Sequence, residues 1–464
     1  MPAPPFRSGL RALALPLLAS SILVAACRSP TPHRRPPVVL ITLGGLRGDA
    51  LVPDVAPALA AFAATSDWSG TTVNASSDAL PSLATLLTGV DPWQHQLLDF
   101  QNATRRPELP TLAEVLSANG YDCFARVPAF FQTATLDLVS GFGHVSGNAT
   151  EQRLLRAADT MTEGTLTWIH LSDGDLTYRR ARREHPLLRK LSKWSDPTVR
   201  PTPTEARKLR QIYQSGIERL DRKVGSLLNA LRRQPAWESA LVVVTASHGT
   251  ELGEHRQILN GENLGRETIE VPLLLKLPAG SPVGIDVPAE PRGGRVAQSR
   301  IFATVLEAIL GEPPSRRAPV YSPSLFHQAS APILSVLYRR NGRSHYSLVD
   351  GDLQLHLASR FSEPRRDYYA DRRGRTQQLL REEKDAFLTT PPVAGQAGSR
   401  PVIRLERWLE AGTAVEDDPS RSAALTAELR RRLRRFTPRE LSPWRELHAA
   451  SEESSGSTEP GSPG

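Results

Sequence analysis

The sequence predicts an α/β domain with helices on both faces of a mostly parallel sheet. The first observation behind this prediction is a pair of apolar, partly β-branched runs, Val38–Leu43 and Leu241–Val244, each with the length and composition of a buried strand. The second is that both runs end in small or polar residues. Ligands of such sheets bind outside the carboxyl ends of the strands. The two strand ends, although far apart in sequence, are therefore expected to form one site.

Between these two strands, helical and extended patterns alternate. Apolar residues at helical spacing predict helices, and short apolar runs after turn residues predict strands. In chain order, we expect a helix at Pro57–Phe62, a strand at Thr71–Asn74, a helix through Ala84–Leu87, a helix at Leu109–Gly120 that stops at glycine, and strands at Tyr121–Arg126 and Leu166–Leu171.

The segment Ser76–Leu83 leads into one of these helices. A helix that begins just after Pro81 directs its free backbone N–H groups and the positive end of its dipole at this segment. This arrangement is suited to binding an oxyanion, whatever the side chains are.

The second half of the chain changes from helical to alternating patterns. Apolar residues recur at helical spacing over Thr204–Arg233, and alternation from about Ser335 predicts a small antiparallel sheet. The expected elements are a helix at Thr204–Arg233, a strand at Val271–Leu277, a helix at Val296–Leu310, strands at Ser335–Tyr338, His345–Leu348 and Leu353–His356, helices around Arg404–Ala411 and Ser422–Phe436, and a disordered tail at Ser451–Gly464.

The N-terminus has the pattern of an export signal. Arg7 and Arg11 precede a mostly apolar run, Ala12–Ala26, which is too short for an ordinary membrane-spanning helix. Small residues directly before Cys27 resemble the bacterial lipobox, in which that cysteine is diacylated. The alternative is a plain signal peptide with an incidental cysteine. Residues 28–37 are rich in proline and charge, which predicts an extended tether.

Composition and charge indicate which classes of partner the protein can bind. The chain has 464 residues, 39% of them hydrophobic, and a formal net charge of +8, which attracts anionic glycans or lipid head groups. The densest basic run, Arg179–Lys193, has no interleaved aromatic residues, and we expect no nucleic-acid partner. Cys123 is the only cysteine besides Cys27, so a disulfide framework is excluded for the mature domain.

Three segments resemble the sulfatase family of the alkaline phosphatase superfamily. They are VVLITLGGLRGDAL from Val38, SSDALPSLATLLTG from Ser76 and TASHGTELGEH from Thr245, and the resemblance extends to about Leu355. It implies an alkaline-phosphatase-like α/β/α sandwich with a small C-terminal antiparallel-sheet subdomain. The expected divisions are a signal peptide at 1–26, a lipidated Cys27 with its tether at 27–37, a core at 38–330, a C-terminal subdomain at 331–390, a helical extension at 391–450 and a disordered tail at 451–464.

The resemblance also implies a metal site, which this sequence lacks. Family members hold a divalent cation such as calcium with aspartates at the positions of Gly44, Gly45 and Ser247, and of those ligands only His248 is retained. A hard dication needs several carboxylate oxygens to replace its water. We therefore expect no cofactor.

The groups that react with the substrate in the family are replaced as well. Ala79 stands at the nucleophile position, where a methyl group cannot attack, and Leu83 stands where the family has an arginine. Asp175 and Asn260 occupy two positions that are usually basic. The turn and packing residues around them still match the family. They are Arg47, Asp49, Pro81, Thr88, Gly89, His95, Gly249, Gly253, Glu254, His255 and Pro272. This combination indicates a pseudoenzyme that retains a candidate ligand pocket at Ser77, Asp78, Ser82 and His248.

Alternative readings remain open at the sequence level. Ser77 or Asp78 could be a displaced nucleophile in an active sulfuric- or phosphoric-ester hydrolase, His248 with Glu251 or His255 with Glu254 could hold a metal, and Asp173 with Asp175 could bind calcium. A third reading is a purely structural envelope protein. Our preferred interpretation is an exported lipoprotein, anchored to the membrane, that binds an anionic glycan or envelope protein. Arg28 lacks the aspartate of inner-membrane retention, so we expect the outer membrane.

Overall fold

The computed structural model describes most of the chain between residues 35 and 434. The described residues are 35–98, 105, 109–132, 137–147, 150–174, 185–191, 201–254, 258–261, 263–279, 295–311, 322–327, 331–339, 343–358, 393–394, 402–409, 412–415 and 418–434. The predicted signal peptide, Cys27, Asp175, His255 and the predicted tail lie outside them. Among the described helices, none combines the length and apolar character that crossing a bilayer requires.

Eight of the first ten strands of the described chain form the main sheet. In chain order the ten strands are β1 (Val38–Gly44), β2 (Trp68–Val73), β3 (Asp122–Arg126), β4 (His144–Ser146), β5 (Thr165–Leu171), β6 (Leu241–His248), β7 (Glu251–Leu252), β8 (Ile258–Leu259), β9 (Glu270–Lys276) and β10 (Arg295–Ala297). Strands β7 and β8 pair as a separate ribbon, and the other eight form the sheet in the order β10-β2-β9-β6-β1-β5-β3-β4. Strand β9 runs antiparallel to both of its neighbours, and the remaining pairs are parallel.

Helices cover both faces of this sheet. In chain order they are α1 (Pro57–Thr65), α2 (Ala79–Thr88), α3 (Pro92–His95), α4 (Leu112–Ala118), α5 (Glu151–Leu155), α6 (Pro186–Leu191), α7 (Pro203–Arg232), α8 (Arg266–Ile269) and α9 (Arg300–Leu310). One apolar layer joins the sheet to α2, α4 and α9, and the other joins it to α1, α5 and α7. Alternate residues of β1 enter opposite layers, as a strand buried on both faces requires. The predicted α/β/α sandwich is confirmed.

The C-terminal part forms a second, smaller sheet. Its strands are β11 (Ile333–Arg339), β12 (Arg343–Asp350), β13 (Leu353–Ala358), β14 (Val393–Ala394), β15 (Val402–Leu409) and β16 (Gly412–Val415), followed by helix α10 (Pro419–Arg434). Within the described residues, the pairs β11-β12, β12-β13, β13-β15 and β15-β16 are antiparallel, as predicted. Leu425 and Leu429 of α10 pack on this sheet.

The helix predicted around Arg404–Ala411 is wrong. Residues 402–409 form β15, which pairs with β13 over residues 402–407. Leu405, Trp408 and Leu409 have helical spacing, but the strand is stabilised by partners about 50 residues earlier in the chain, which local periodicity does not reveal. The C-terminal sheet therefore extends past residue 390, and of the predicted helical extension at 391–450 the described part is helical only in α10.

Two helix starts also differ from the prediction. Helix α2 begins at Ala79, so that Pro81 lies inside its first turn. Proline is tolerated there because the first N–H groups of a helix have no intrahelical acceptor. Val296 belongs to the short strand β10, and helix α9 starts only at Arg300.

Asp221 joins the long helix α7 to the start of α1. Its side chain is 2% exposed, and its two carboxylate oxygens accept hydrogen bonds from the backbone N–H groups of Ala58 (3.0 Å) and Leu59 (2.9 Å). These N–H groups lie in the first turn of α1, whose own N-cap residue, Ala56, provides no side-chain acceptor. The carboxylate therefore caps α1 from a neighbouring helix.

We expect Asp221→Ala to lower the free energy of unfolding by about 1–3 kcal/mol, because it leaves buried N–H groups without an acceptor. Urea unfolding followed by circular dichroism measures this loss. The matched control is Arg222→Ala, an exposed position on the same helix, for which a change within about 0.5 kcal/mol is expected. Equal effects of the two substitutions would contradict the capping role.

Candidate functional site

The ends of β1 and β6 meet at the carboxyl edge of the main sheet, as predicted. The two strands pair residue by residue, and a register shift after Leu43 places Gly44 opposite His248. Ser247 donates a weak hydrogen bond from Oγ to the Leu43 carbonyl oxygen at 3.4 Å. The structure thus brings Gly44, Gly45, Ser247 and His248 together, and we refer to these four residues as the strand-end site.

The end of β5 closes tightly on the strand-end site. A Cβ atom at Gly174 would lie 2.8 Å from the Gly44 carbonyl oxygen and 2.9 Å from the Ile217 side chain, so only glycine fits without movement. The described part of this loop therefore lies directly against the end of β1. Asp173, next to Gly174, forms an ion pair with Lys223 at 2.6 Å.

The donor groups of the strand-end site do not fit a hard divalent cation. Gly44 and Gly45 offer no side-chain oxygen, and the Ser247 hydroxyl, which donates to a backbone carbonyl, supplies no negative charge. His248 is fully buried, and its Nδ1 lies 2.7 Å from the Gly249 carbonyl oxygen, so Nδ1 carries a hydrogen and donates. Calcium takes six to eight oxygen ligands, mostly carboxylates and carbonyls. Within the described residues, no three His, Cys, Asp or Glu side chains cluster as metal ligands.

Apolar packing surrounds the segment in which the resemblance implies a nucleophile. Ala79 is the first residue of α2, and its methyl group packs against the apolar layer on that face. Leu83, one turn further along, is fully buried in the same layer. Neither side chain carries a group that could attack an ester or stabilise negative charge.

The predicted ligand-pocket residues have different surroundings. Ser82 is engaged in the fold, because its Oγ donates to the Ser76 carbonyl oxygen at 2.6 Å. Ser77 is fully buried, and its Oγ has no hydrogen-bond partner among the described residues. Asp78 precedes α2, and its carboxylate lies 3.8 Å from the position of a Cβ at Gly261.

Asn260 lies next to Gly261 and therefore beside Asp78. Its Oδ1 atom is buried and has no partner among the described residues. Buried polar atoms are usually hydrogen-bonded, and exceptions need an explanation. The structure therefore brings together Asp78 and the Asn260–Gly261 turn, and it leaves polar atoms at Ser77 and Asn260 that a ligand could satisfy.

The buried Arg47 organises an ion network that the sequence analysis did not predict. Its guanidinium donates to Asp49 (2.7 Å), Glu254 (3.0 Å) and the Thr250 carbonyl oxygen (3.2 Å), and its backbone N–H donates to the Tyr213 hydroxyl (3.0 Å). Burial alone would lower the pKa of Arg47, but the neighbouring carboxylates hold that pKa above its ordinary value. This network ties the segment after β1 to the loop after β6.

The loop after β6 has room only for glycine at position 249. A Cβ atom at this position would lie 2.1 Å from the Glu267 carbonyl oxygen. The Arg47 contacts and the close packing at Gly249 thus hold the backbone around the strand-end site.

His95 is another matching residue with a structural role. Its Nδ1 accepts a hydrogen bond from the Leu97 N–H at 3.0 Å, so in the neutral ring Nε2 carries the hydrogen and donates to Thr85 Oγ1 at 3.1 Å. Burial lowers the pKa of His95 to about 3. The neutral imidazole therefore joins α2 to the turn after α3.

Comparison with known proteins places this geometry in context. Residues 172–311 match the family model for sulfatases. Human iduronate 2-sulfatase is 37% identical over 79 residues, an alignment that covers 17% of this chain and only 14% of that enzyme. The chain thus spans a small part of the length of the curated relative that it matches.

Solved structures share the fold over most of the chain. A protein from Bacteroides thetaiotaomicron that is assigned as a sulfatase superposes with a TM-score of 0.54 at 14% identity, covering 87% of this chain and 97% of that one. The phosphonate monoester hydrolase of Agrobacterium radiobacter superposes with a TM-score of 0.51 at 16% identity, covering 83% and 100%. At these identities the structures show a common fold, and they carry no information about the activity of this chain. Residues 172–311 thus resemble sulfatases, and the chain as a whole has the fold of these solved hydrolase structures.

Proposed function

We propose that this protein is a pseudoenzyme: a sulfatase-like domain that binds an anionic ligand without hydrolysing it. The observation that carries the proposal is the donor set of the strand-end site, in which two glycines and a serine stand where a dication needs carboxylates. The apolar surroundings of the partly buried Ala79 and the fully buried Leu83 support it, because hydrocarbon stands at both positions where the resemblance implies a nucleophile and its cationic partner.

Three observations favour an anionic ligand. The net charge is +8. Helix α2 starts beside the candidate pocket, so that its positive dipole end faces the region of Ser77 and Asp78. The curated relative is named for sulfated iduronate, a glycan unit. We infer that the ligand is a sulfated or phosphorylated glycan or an envelope component.

We further propose that the protein is exported and attached to the bacterial outer membrane through lipid on Cys27. The basic N-terminus, the apolar run and the small residues before Cys27 support this location. Of the tether predicted at residues 28–37, the last three residues, Arg35–Pro37, hydrogen-bond to the folded core. An extended tether would therefore end before Arg35, and it would hold the domain where it can meet envelope glycans or proteins.

Turnover and binding, measured on the same preparation, test the pseudoenzyme proposal. The purified protein is incubated with aryl sulfate, aryl phosphate and a phosphonate monoester in calcium, magnesium, manganese or zinc. We expect no hydrolysis above the buffer rate, and no change in Ser77→Ala or His248→Ala. Metal-dependent turnover that either substitution abolishes would establish the alternative, an active hydrolase with unusual residues.

Binding to a sulfated glycosaminoglycan oligosaccharide and to its desulfated form is measured in parallel. We expect saturable binding of the sulfated form only. Asn260→Asp should weaken it about tenfold, because a carboxylate repels the anion. Asn229→Asp, the same charge change at an exposed position of α7, should change it less than twofold. Equal losses would indicate general attraction to a basic surface, and no affinity for any sulfated or phosphorylated ligand would refute the binding role.

Lipidation at Cys27 is tested by expressing the full chain in a bacterium with a labelled fatty acid. The native protein should incorporate label and partition into detergent, whereas Cys27→Ser should lose both properties, because the acyl chains that anchor the protein are attached to this sulfur. Cys123→Ser, at the buried cysteine of β3, is the control and should retain the label. Label that persists in Cys27→Ser would contradict the anchor.

A further inference from the structure

A cleft lies at the same edge of the main sheet as the strand-end site, but on its outer strands. Its walls come from the end of β2, the turn between β10 and α9, the segment Ser322–Pro323 and the start of β11. Its empty volume is ≈ 620 Å³, part of which is open to solvent. Strand β9 separates β2 from β6, and neighbouring strands lie about 4.8 Å apart, so the cleft and the strand-end site are distinct.

Gln298 lines this cleft and has an unused donor. The side chain is 1% exposed, and Oε1 accepts a hydrogen bond from the Ala75 N–H at 3.1 Å. That bond fixes the orientation of the amide, so the opposite atom, Nε2, is an NH₂ donor. Nε2 is buried and has no hydrogen-bond partner within the described part of the chain. A buried donor without an acceptor is unfavourable, and a ligand oxygen would satisfy it.

Arg300 gives the cleft a positive charge. The residue is 7% exposed, and its guanidinium donates to three backbone carbonyl oxygens, those of Pro323 (3.1 Å), Ser324 (2.6 Å) and His327 (2.5 Å). Carbonyl oxygens are neutral, so they orient the cation without cancelling its charge. Burial lowers the pKa of Arg300 to about 10, which leaves it charged at neutral pH. Glu307, an acid on the same helix, pairs with His327.

The other charged groups of the cleft are engaged elsewhere. Arg295 pairs with Glu270 at 2.7 Å, and the Asp91 carboxylate caps helix α3. The hydroxyls of Ser299 and Ser322 lie 2.8 Å apart at the start of α9, where the helix dipole is positive. The cleft therefore combines a buried cation, hydroxyl groups and a free amide donor. The carboxylate of Asp91, which also lines the cleft, is already hydrogen-bonded as the cap of α3.

We infer that this cleft binds the anionic group of a small ligand, a phosphate, sulfate or carboxylate. Its oxygens accept hydrogen bonds from the Gln298 amide and neutralise the charge of Arg300. This site goes beyond the proposed function, because it shares no residue with the strand-end site or with the candidate pocket around Ser77 and Asn260. The cleft lies between the two sheets, since the end of β2 and the start of β11 both line it.

The experiment titrates the full chain with inorganic phosphate, inorganic sulfate and acetate in a calorimeter at fixed ionic strength. The test variant is Gln298→Glu, which keeps the acceptor for the Ala75 N–H and replaces the free donor with a negatively charged oxygen. Gln152→Glu, the same substitution at an exposed position of α5, is the matched control. We expect saturable binding of at least one anion, a dissociation constant at least about tenfold higher in Gln298→Glu, and no change in Gln152→Glu.

The three anions distinguish the sources of the negative charge, and the tightest binder identifies the ligand class. Absence of saturable binding of all three by the folded native chain would overturn the inference, as would an unchanged dissociation constant in Gln298→Glu. Should Gln298→Glu fail to fold, Ser322→Ala replaces it, because it removes only a partly exposed hydroxyl. Weaker binding by Ser322→Ala supports the cleft, and unchanged binding rejects it.

Discussion

The pairing of β1 between β5 and β6 is the constraint on which the rest of the structure depends. Parallel hydrogen bonds on both sides fix β1 in register with both neighbours, so the ends of all three strands lie at one edge. The arrangement accounts for the close contact between Gly174 and Gly44 and for the meeting of Gly44 with His248. The position of the strand-end site thus follows from strand pairing and is independent of its chemistry.

This separation between position and chemistry explains how the fold persists while the donor set changes. The Arg47 network, Gly249 and His95 hold the loops around the site, and none of them depends on a bound metal. In an active relative, the carboxylates of such a site repel one another unless a cation balances them. Glycine and serine remove that repulsion. Under the proposed function the fold needs no ion at this site, in keeping with the hydrocarbon that packs against Ala79 and around Leu83.

Much of the main sheet could be predicted from the sequence, because its strands are nearly continuous apolar runs and α7 has a clear helical period. The antiparallel direction of β9 and the strand β15 could not, since both depend on partners distant in sequence. The strand-end site was predictable from motif spacing. The cleft was not, because the free donor of Gln298 results from a bond to Ala75, over 200 residues earlier in the chain.

The central claim, that the strand-end site cannot hold a dication, is tested most directly by the metal content of the purified protein. Equilibrium dialysis against calcium, magnesium, manganese or zinc, followed by mass spectrometry of both compartments, detects weakly held ions as well as tight ones. We predict no stoichiometric excess of any of the four ions on the protein side. One ion per chain that is lost in His248→Ala would contradict the account and identify a working metal site.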